Sequence, residues 1–198
     1  MNRILAALLL IVSSTAIAQA PAQVRVRGTV EKLEGNVMTV KARNGETVTV
    51  KLADNYGVMG VAKASLSQVQ TGGYIGTTTV GERNGALIAE EIHIFPEAMR
   101  GAGEGYRDWD LRPNSKMTNA AVADIQQVGK DRVMTVKYKD GEKKILVPEN
   151  VVVVAFQPTE KSSLKPGAHI FAVTQKQPDG TLTAARVNVG VDGQVPPM

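Results

Sequence analysis

With 198 residues, 23 Lys and Arg against 19 Asp and Glu, the chain carries a formal charge of +4, too mild to single out a nucleic acid or an anionic membrane as partner. It has no cysteine, which excludes disulfides, thiolate metal sites, thiol catalysis and a lipobox anchor. Only two histidines and one tryptophan are available for proton transfer, ligation or stacking.

Met1-Asn2-Arg3 is a short basic start, and Ile4 to Val12 is almost unbroken aliphatic. Small residues then lead to Ala16-Ile17-Ala18 and Ala18-Gln19-Ala20. This is the pattern of a secretory signal peptide over 1–18, too short for a membrane span. Cleavage is expected after Ala18. The alternative, after Ala20, would leave Pro21 at the new N-terminus, without an N–H and with a fixed φ. A periplasmic or secreted protein is expected, with no later apolar stretch long enough to span a membrane.

The rest of the chain repeats itself. Val37-Met38-Thr39-Val40-Lys41 is echoed by Val133-Met134-Thr135-Val136-Lys137, and Gly45-Glu46 by Gly141-Glu142. After one residue drops out, Gly72 matches Gly167, Ile75 matches Ile170, and Ala89 matches Ala184. A register held that long points to duplication. In the first copy, Val24–Val30 alternates apolar and polar residues, as a half-buried strand does. Val37–Ala42 and Thr47–Leu52 follow around Asn44-Gly45, a strong hairpin signal. Tyr74–Val80 and Leu87–Phe95 complete the set, with a helical turn or two expected within Ala62–Val69. The second copy supplies Ala121–Val128, Val133–Tyr138 and Glu142–Val147, a long crossing, then His169–Gln175 and Thr181–Val189. Three strands, a longer connection and two strands is the order of an OB-like barrel.

The expected fold is therefore all-β. It comprises two tandem five-stranded OB-like barrels, over 22–95 and 119–192, joined by an irregular Gly- and charge-rich segment at 96–118. Residues 193–198 are expected to be a disordered tail. One continuous sandwich of short strands is the alternative.

Gly28-Thr29-Val30, Asn36, Thr39-Val40, Gly45, Val48, Val69, Gly72, Asn84-Gly85 and Ala89 carry a resemblance. Thr135-Val136, Gly141, Leu164, Gly167, Asp179-Gly180, Ala184 and Val187 repeat it in the second copy. The chain resembles the exported bacterial β-barrel domain of unknown function called DUF5666, in tandem. The resemblance implies a small envelope domain without an established enzymatic activity, and it brings no catalytic residues.

The unrepeated 96–118 segment holds the tryptophan. Tyr106, Arg107, Trp109 and Arg112 form a candidate recognition patch, because Tyr, Trp and Arg dominate binding hot spots. The plainer reading makes Trp109 a plug between the domains. Gly101–Gly105 fits neither the dinucleotide nor the P-loop spacing. Asp108-Trp109-Asp110 meets Arg112 where a calcium loop needs an oxygen.

No nucleophile elbow, zincin helix or Cys–His arrangement is present, so no enzyme is expected. Single-strand nucleic-acid binding needs stacking aromatics that the basic hairpin around Lys137, Lys139, Lys143 and Lys144 lacks. His93 and His169 both precede Ile-Phe but fall on different strands of the repeat, and alternation puts Glu91 and His93 on one face. The chain reads as a non-enzymatic protein that binds or scaffolds an unknown envelope protein or small ligand, without a cofactor. The alternative is a copper ion held by His93, Met99 and Met117 beside Trp109. Small periplasmic OB-fold copper carriers use Met, His and Trp in this way, and soft thioethers select Cu(I).

Overall fold

Alternating apolar and polar residues between glycine turns put most of this chain into strands. The computed structural model describes residues 22–198, and the expected signal peptide lies outside them. The strands are β1 (Gln23–Glu34), β2 (Val37–Ala42), β3 (Thr47–Lys63), β4 (Tyr74–Arg83), β5 (Ala86–Phe95), β6 (Gly105–Asp108), β7 (Ser115–Val128), β8 (Asp131–Tyr138), β9 (Gly141–Val147), β10 (Val152–Pro158), β11 (His169–Lys176) and β12 (Leu182–Gly190). Among the described residues, helical structure is limited to 3-10 turns at Leu66–Gln68, Glu97–Met99 and Lys161–Ser163. Among the described residues no helix is long and apolar enough to cross a membrane. Gly35 (φ 54°) and Gly45 (φ 88°) adopt the left-handed backbone that the two hairpins flanking β2 require.

Closed five-stranded barrels organise these strands. In one, β1 pairs with β2 and β11, β2 with β3, and β12 with both β11 and β3. In a second circuit β4 pairs with β5 and β7, β8 with β7 and β9, and β5 with β9. Each barrel thus takes three strands from one half of the chain and two from the other. The expectation of self-contained barrels over 22–95 and 119–192 is corrected by this exchange.

The cause is β3. It was expected to end at Leu52, but it bulges and runs on to Lys63, carrying β4 and β5 away from β1 and β2. β10, hidden in what reads as a crossing, returns the favour. It lies antiparallel to the far end of β3, with Phe156 opposite Val61, and parallel to β5. The parallel pairing of Leu182 with Val50 is echoed by that of Leu87 with Ile145, at the offset that relates Gly72 to Gly167.

Each barrel has its own apolar core. Met38 lies in one and Met134 in the other, both facing inward as their alternation with Thr and Lys implies. A third cluster lies on the outer faces between the barrels and contains Val61, Val154, Phe156, Phe171 and Met198.

Two further expectations are corrected here. The 96–118 segment is not irregular throughout. Gly101, Gly103 and Gly105, all at positive φ, reverse the chain so that β6 pairs with Lys116–Asn119 at the start of β7. Nor is 193–198 a disordered tail. Arg43 donates to the carbonyls of Pro196 and Pro197, Arg27 donates to that of Met198, and the Met198 side chain is buried. Two prolines limit the entropy that this segment loses on packing.

Candidate binding site between the barrels

Strand alternation builds the site. On β5, Ala89 and Ile92 enter a barrel core, which turns Glu91, His93 and Phe95 to the opposite face. On β7, Ala120 and Val122 point inward, and Met117 and Asn119 outward. On β11, Ile170 and Ala172 point inward, and Phe171 and Val173 outward. These outward faces line an open cavity of about 290 Å³, with apolar walls from Phe95, Phe156, Phe171, Met99, Met117 and Met198.

Arg107, Trp109, His93, Met99 and Met117, all sequence candidates, line this one cavity. Tyr106 and Arg112 do not. In β6 residues 105 and 107 share one face and 106 the other, so Tyr106 lies instead under the Lys143 ammonium, 4.5 Å from the ring centroid. Arg112 is turned to the surface, where it pairs with Glu90. The recognition patch is thus reduced to Arg107 and Trp109. Trp109 does fill a gap between barrels, as the plainer reading has it, while also forming a wall of a cavity.

Cations crowd around this indole. The guanidinium carbon of Arg25 lies 4.0 Å from its ring centroid, that of Arg107 5.7 Å and that of Arg27 5.8 Å. Among the described residues one side-chain carboxylate answers them, Asp110, 2.7 Å from Arg27 and 3.4 Å from Arg25, and Arg27 also donates to the main-chain oxygen of Met198. Burial raises the Asp110 pKa, but the two arginines outweigh it and hold the group below its ordinary value. Arg107 donates to the Gly103 carbonyl at 2.7 Å and makes no ion pair among the described residues. Burial and the neighbouring Arg25 push its pKa down.

Behind the cavity wall lies a buried polar chain. Thr78 Oγ1 donates to Glu91 Oε1 at 2.6 Å, and His93 Nε2 lies 3.1 Å from the same oxygen. The imidazole N–H is off-line from that oxygen, so proximity and charge, more than a formed hydrogen bond, join the pair. Burial alone would push the Glu91 carboxyl up, but His93 and the Thr78 hydroxyl prevail and lower it. The order of groups is wrong for acyl transfer. The Thr78 hydroxyl donates its hydrogen bond to the carboxylate and not to the imidazole, so His93 does not activate it as a nucleophile.

Gly76 and Asn119 are site residues that sequence reading misses. A Cβ on Gly76 would fall 2.8 Å from Asn119 Oδ1, 3.1 Å from the Phe95 ring and 3.4 Å from His93 Nδ1. Its φ is not positive, so this glycine serves space and not backbone conformation. Asn119 donates its amide to the Ala102 carbonyl, leaving its buried Oδ1 without a donor. Gly76→Ala is expected to cost only about 1 kcal/mol, because side-chain ends can shift. It should nevertheless narrow the cavity, read as weakened ligand binding at nearly unchanged melting temperature.

No family model, curated protein or solved structure matches the chain.

For a metal, the donor set is soft. Among the described residues no group of three or more His, Cys, Asp or Glu could hold an ion. Ligands would come from the sulfurs of Met99 and Met117 with the His93 imidazole, oriented from behind by Glu91 as second-layer carboxylates orient ligating histidines. That set fits Cu(I) better than zinc.

Proposed function

We propose that the chain is an exported, non-enzymatic binding protein of the bacterial envelope, descended from a duplicated OB-like unit whose copies exchanged strands. Its ligand occupies the cavity between the barrels. The carrying observation is convergence: Arg107, Trp109, His93, Met99 and Met117, singled out by residue type, border one cavity that neither barrel forms alone. At about 290 Å³ it lies at the small end of ligand pockets, and its apolar walls with a few convergent polar groups are what such pockets require. The basic, aliphatic start of the chain and the resemblance to DUF5666 domains support the envelope location.

Trp109 is the only tryptophan, so its emission reports occupancy. Compounds with a small apolar body, in anionic, neutral and cationic forms, should be screened by melting temperature and Trp109 emission. At least one class is expected to bind at one site per chain, stabilising the fold by about 2.7 kcal/mol at roughly a hundredfold excess over Kd. Val173→Phe, at the exposed mouth, should weaken that binding. If no class changes either signal, the binding reading falls.

A second reading, Cu(I), is favoured by the Met99 and Met117 thioethers lining the same cavity as the Glu91-backed His93. The three arginines around Trp109, of which Arg107 makes no ion pair among the described residues, oppose it, since they raise the cost of admitting a cation. Silver(I) titration decides it. Stoichiometric quenching of Trp109, lost in Met117→Leu, is the result this reading requires, and no quenching at one equivalent ends it.

A further inference from the structure

Resting on the binding reading above, we infer that the cavity between the barrels takes a small organic anion, with a planar apolar body among the aromatic walls and its carboxylate at Arg107. Three observations lead there, beginning with charge. Three guanidinium groups surround Trp109, and among the described residues the one side-chain carboxylate that pairs with them, Asp110, is shared by Arg25 and Arg27, the latter also donating to the main-chain oxygen of Met198. Arg107 is left with a backbone carbonyl. Arg186, on the same cavity and exposed, also makes no ion pair among the described residues.

An orphaned donor comes next. Trp109 Nε1, in a wall of this cavity, is buried without an acceptor among the described residues. Buried polar groups are almost always paired, so an exception in a cavity wall points to a partner supplied from outside the chain. The indole N–H together with the half-buried Arg107 guanidinium calls for an acceptor, and a carboxylate answers both with charge-assisted hydrogen bonds. Burial and Arg25 both make the charged state of Arg107 costly, a cost that a bound anion relieves.

The third observation is shape and polarity at depth. Phe95 and Phe156 meet at 4.9 Å between centroids with their rings tilted by 35°, and Trp109 and Phe171 approach to 6.2 Å. Surfaces of this kind favour a flat ring over a branched aliphatic chain. Beside Gly76, Asn119 Oδ1 offers an acceptor with no donor, so a hydroxyl or N–H on the buried end of the ligand would be recognised. The predicted class is a hydroxylated aromatic acid.

The test uses the full mature chain and four probes of one body: 4-hydroxycinnamate, cinnamate, cinnamyl alcohol and cinnamylamine. Binding is followed by calorimetry and by Trp109 emission. The acids are expected to bind about tenfold or more tighter than the alcohol, and the amine not at all. The hydroxylated acid should bind more tightly than cinnamate. Arg107→Gln should bring acid and alcohol to within about threefold while the melting temperature holds, because Arg107 makes no ion pair among the described residues. Equal binding of acid and alcohol, or an Arg107→Gln variant that keeps the preference, overturns the anion and leaves the cavity as a binding site. If no probe of any charge binds, the anion and the reading it rests on fall together. Silver(I) quenching in that case would assign the cavity to metal.

Discussion

Cut between Gly101 and Ala102, the chain is expected to yield two halves that do not fold as monomers but reassemble when refolded together. The first half holds β1, β2, β3, β4 and β5, and every closed circuit in the protein needs strands that it lacks. One barrel core draws Val26, Val30, Met38, Val40, Val50 and Leu52 from the first half, and Ile170, Ala172, Ala184, Val187 and Val189 from the second. The other mixes Ile75, Ala89 and Ile92 with Ala120, Val122, Met134 and Val136. Each half alone leaves both cores open to water, so the loss is the whole folding free energy, of order 5–15 kcal/mol. Far-UV circular dichroism and sedimentation would show unfolded or associating halves, and a native 1:1 complex after mixing. A folded monomer from residues 22–101 would mean that β3 can turn back after Leu52, and the exchanged topology would be wrong.

Replacing Glu91 with alanine is expected to lower stability by about 3 kcal/mol, because it strands His93 and Thr78 in a buried polar pair without its acceptor. Glu91 and His93 are each 2% exposed, so water cannot substitute. Glu91→Gln keeps the shape and should cost about half as much. The two variants also separate by pH. The Glu91 carboxyl is held below its ordinary value of 4.5 in the fold. Its ionised form therefore contributes stability that is fully present above that value. The contribution declines as pH falls through the lower folded value, and is gone once both states are protonated. The gap between wild type and Glu91→Gln in urea unfolding should accordingly be level near neutrality and close in acid. A gap that widens as pH falls would contradict the depressed carboxyl.

Strand existence was legible because period two writes itself into the residues. Met38 and Val40 alternate with Thr39 and Lys41, and the hairpin glycines stand where positive φ is needed. Which neighbour completes each barrel was not legible. The same alternation serves a strand whether its partner comes from its own half or from the other. What decides is whether Ala53–Lys63 continues or turns, and no single residue there announces it. The site was half legible. Residue type picked out Trp109 and Arg107, and alternation put Glu91 beside His93. The apolar residues on both faces of Ile92-His93-Ile94-Phe95 signal a strand covered on two sides, though not what covers it. Gly76 is silent in sequence, since its value lies in the atoms it lacks.

The strand exchange also sets an order of events in time. As the chain is made from its N-terminus, β1, β2 and β3 come first, yet their barrel waits for β11 and β12, ending at Gly190. The circuit of β4, β5, β7, β8 and β9 is complete once Val147 is available. The barrel begun first therefore closes last, by long-range pairings that are slow to find. Until then β1 has an unpaired edge along Gln23–Thr29, and the emerging chain stays open for longer than its repeat pattern suggests.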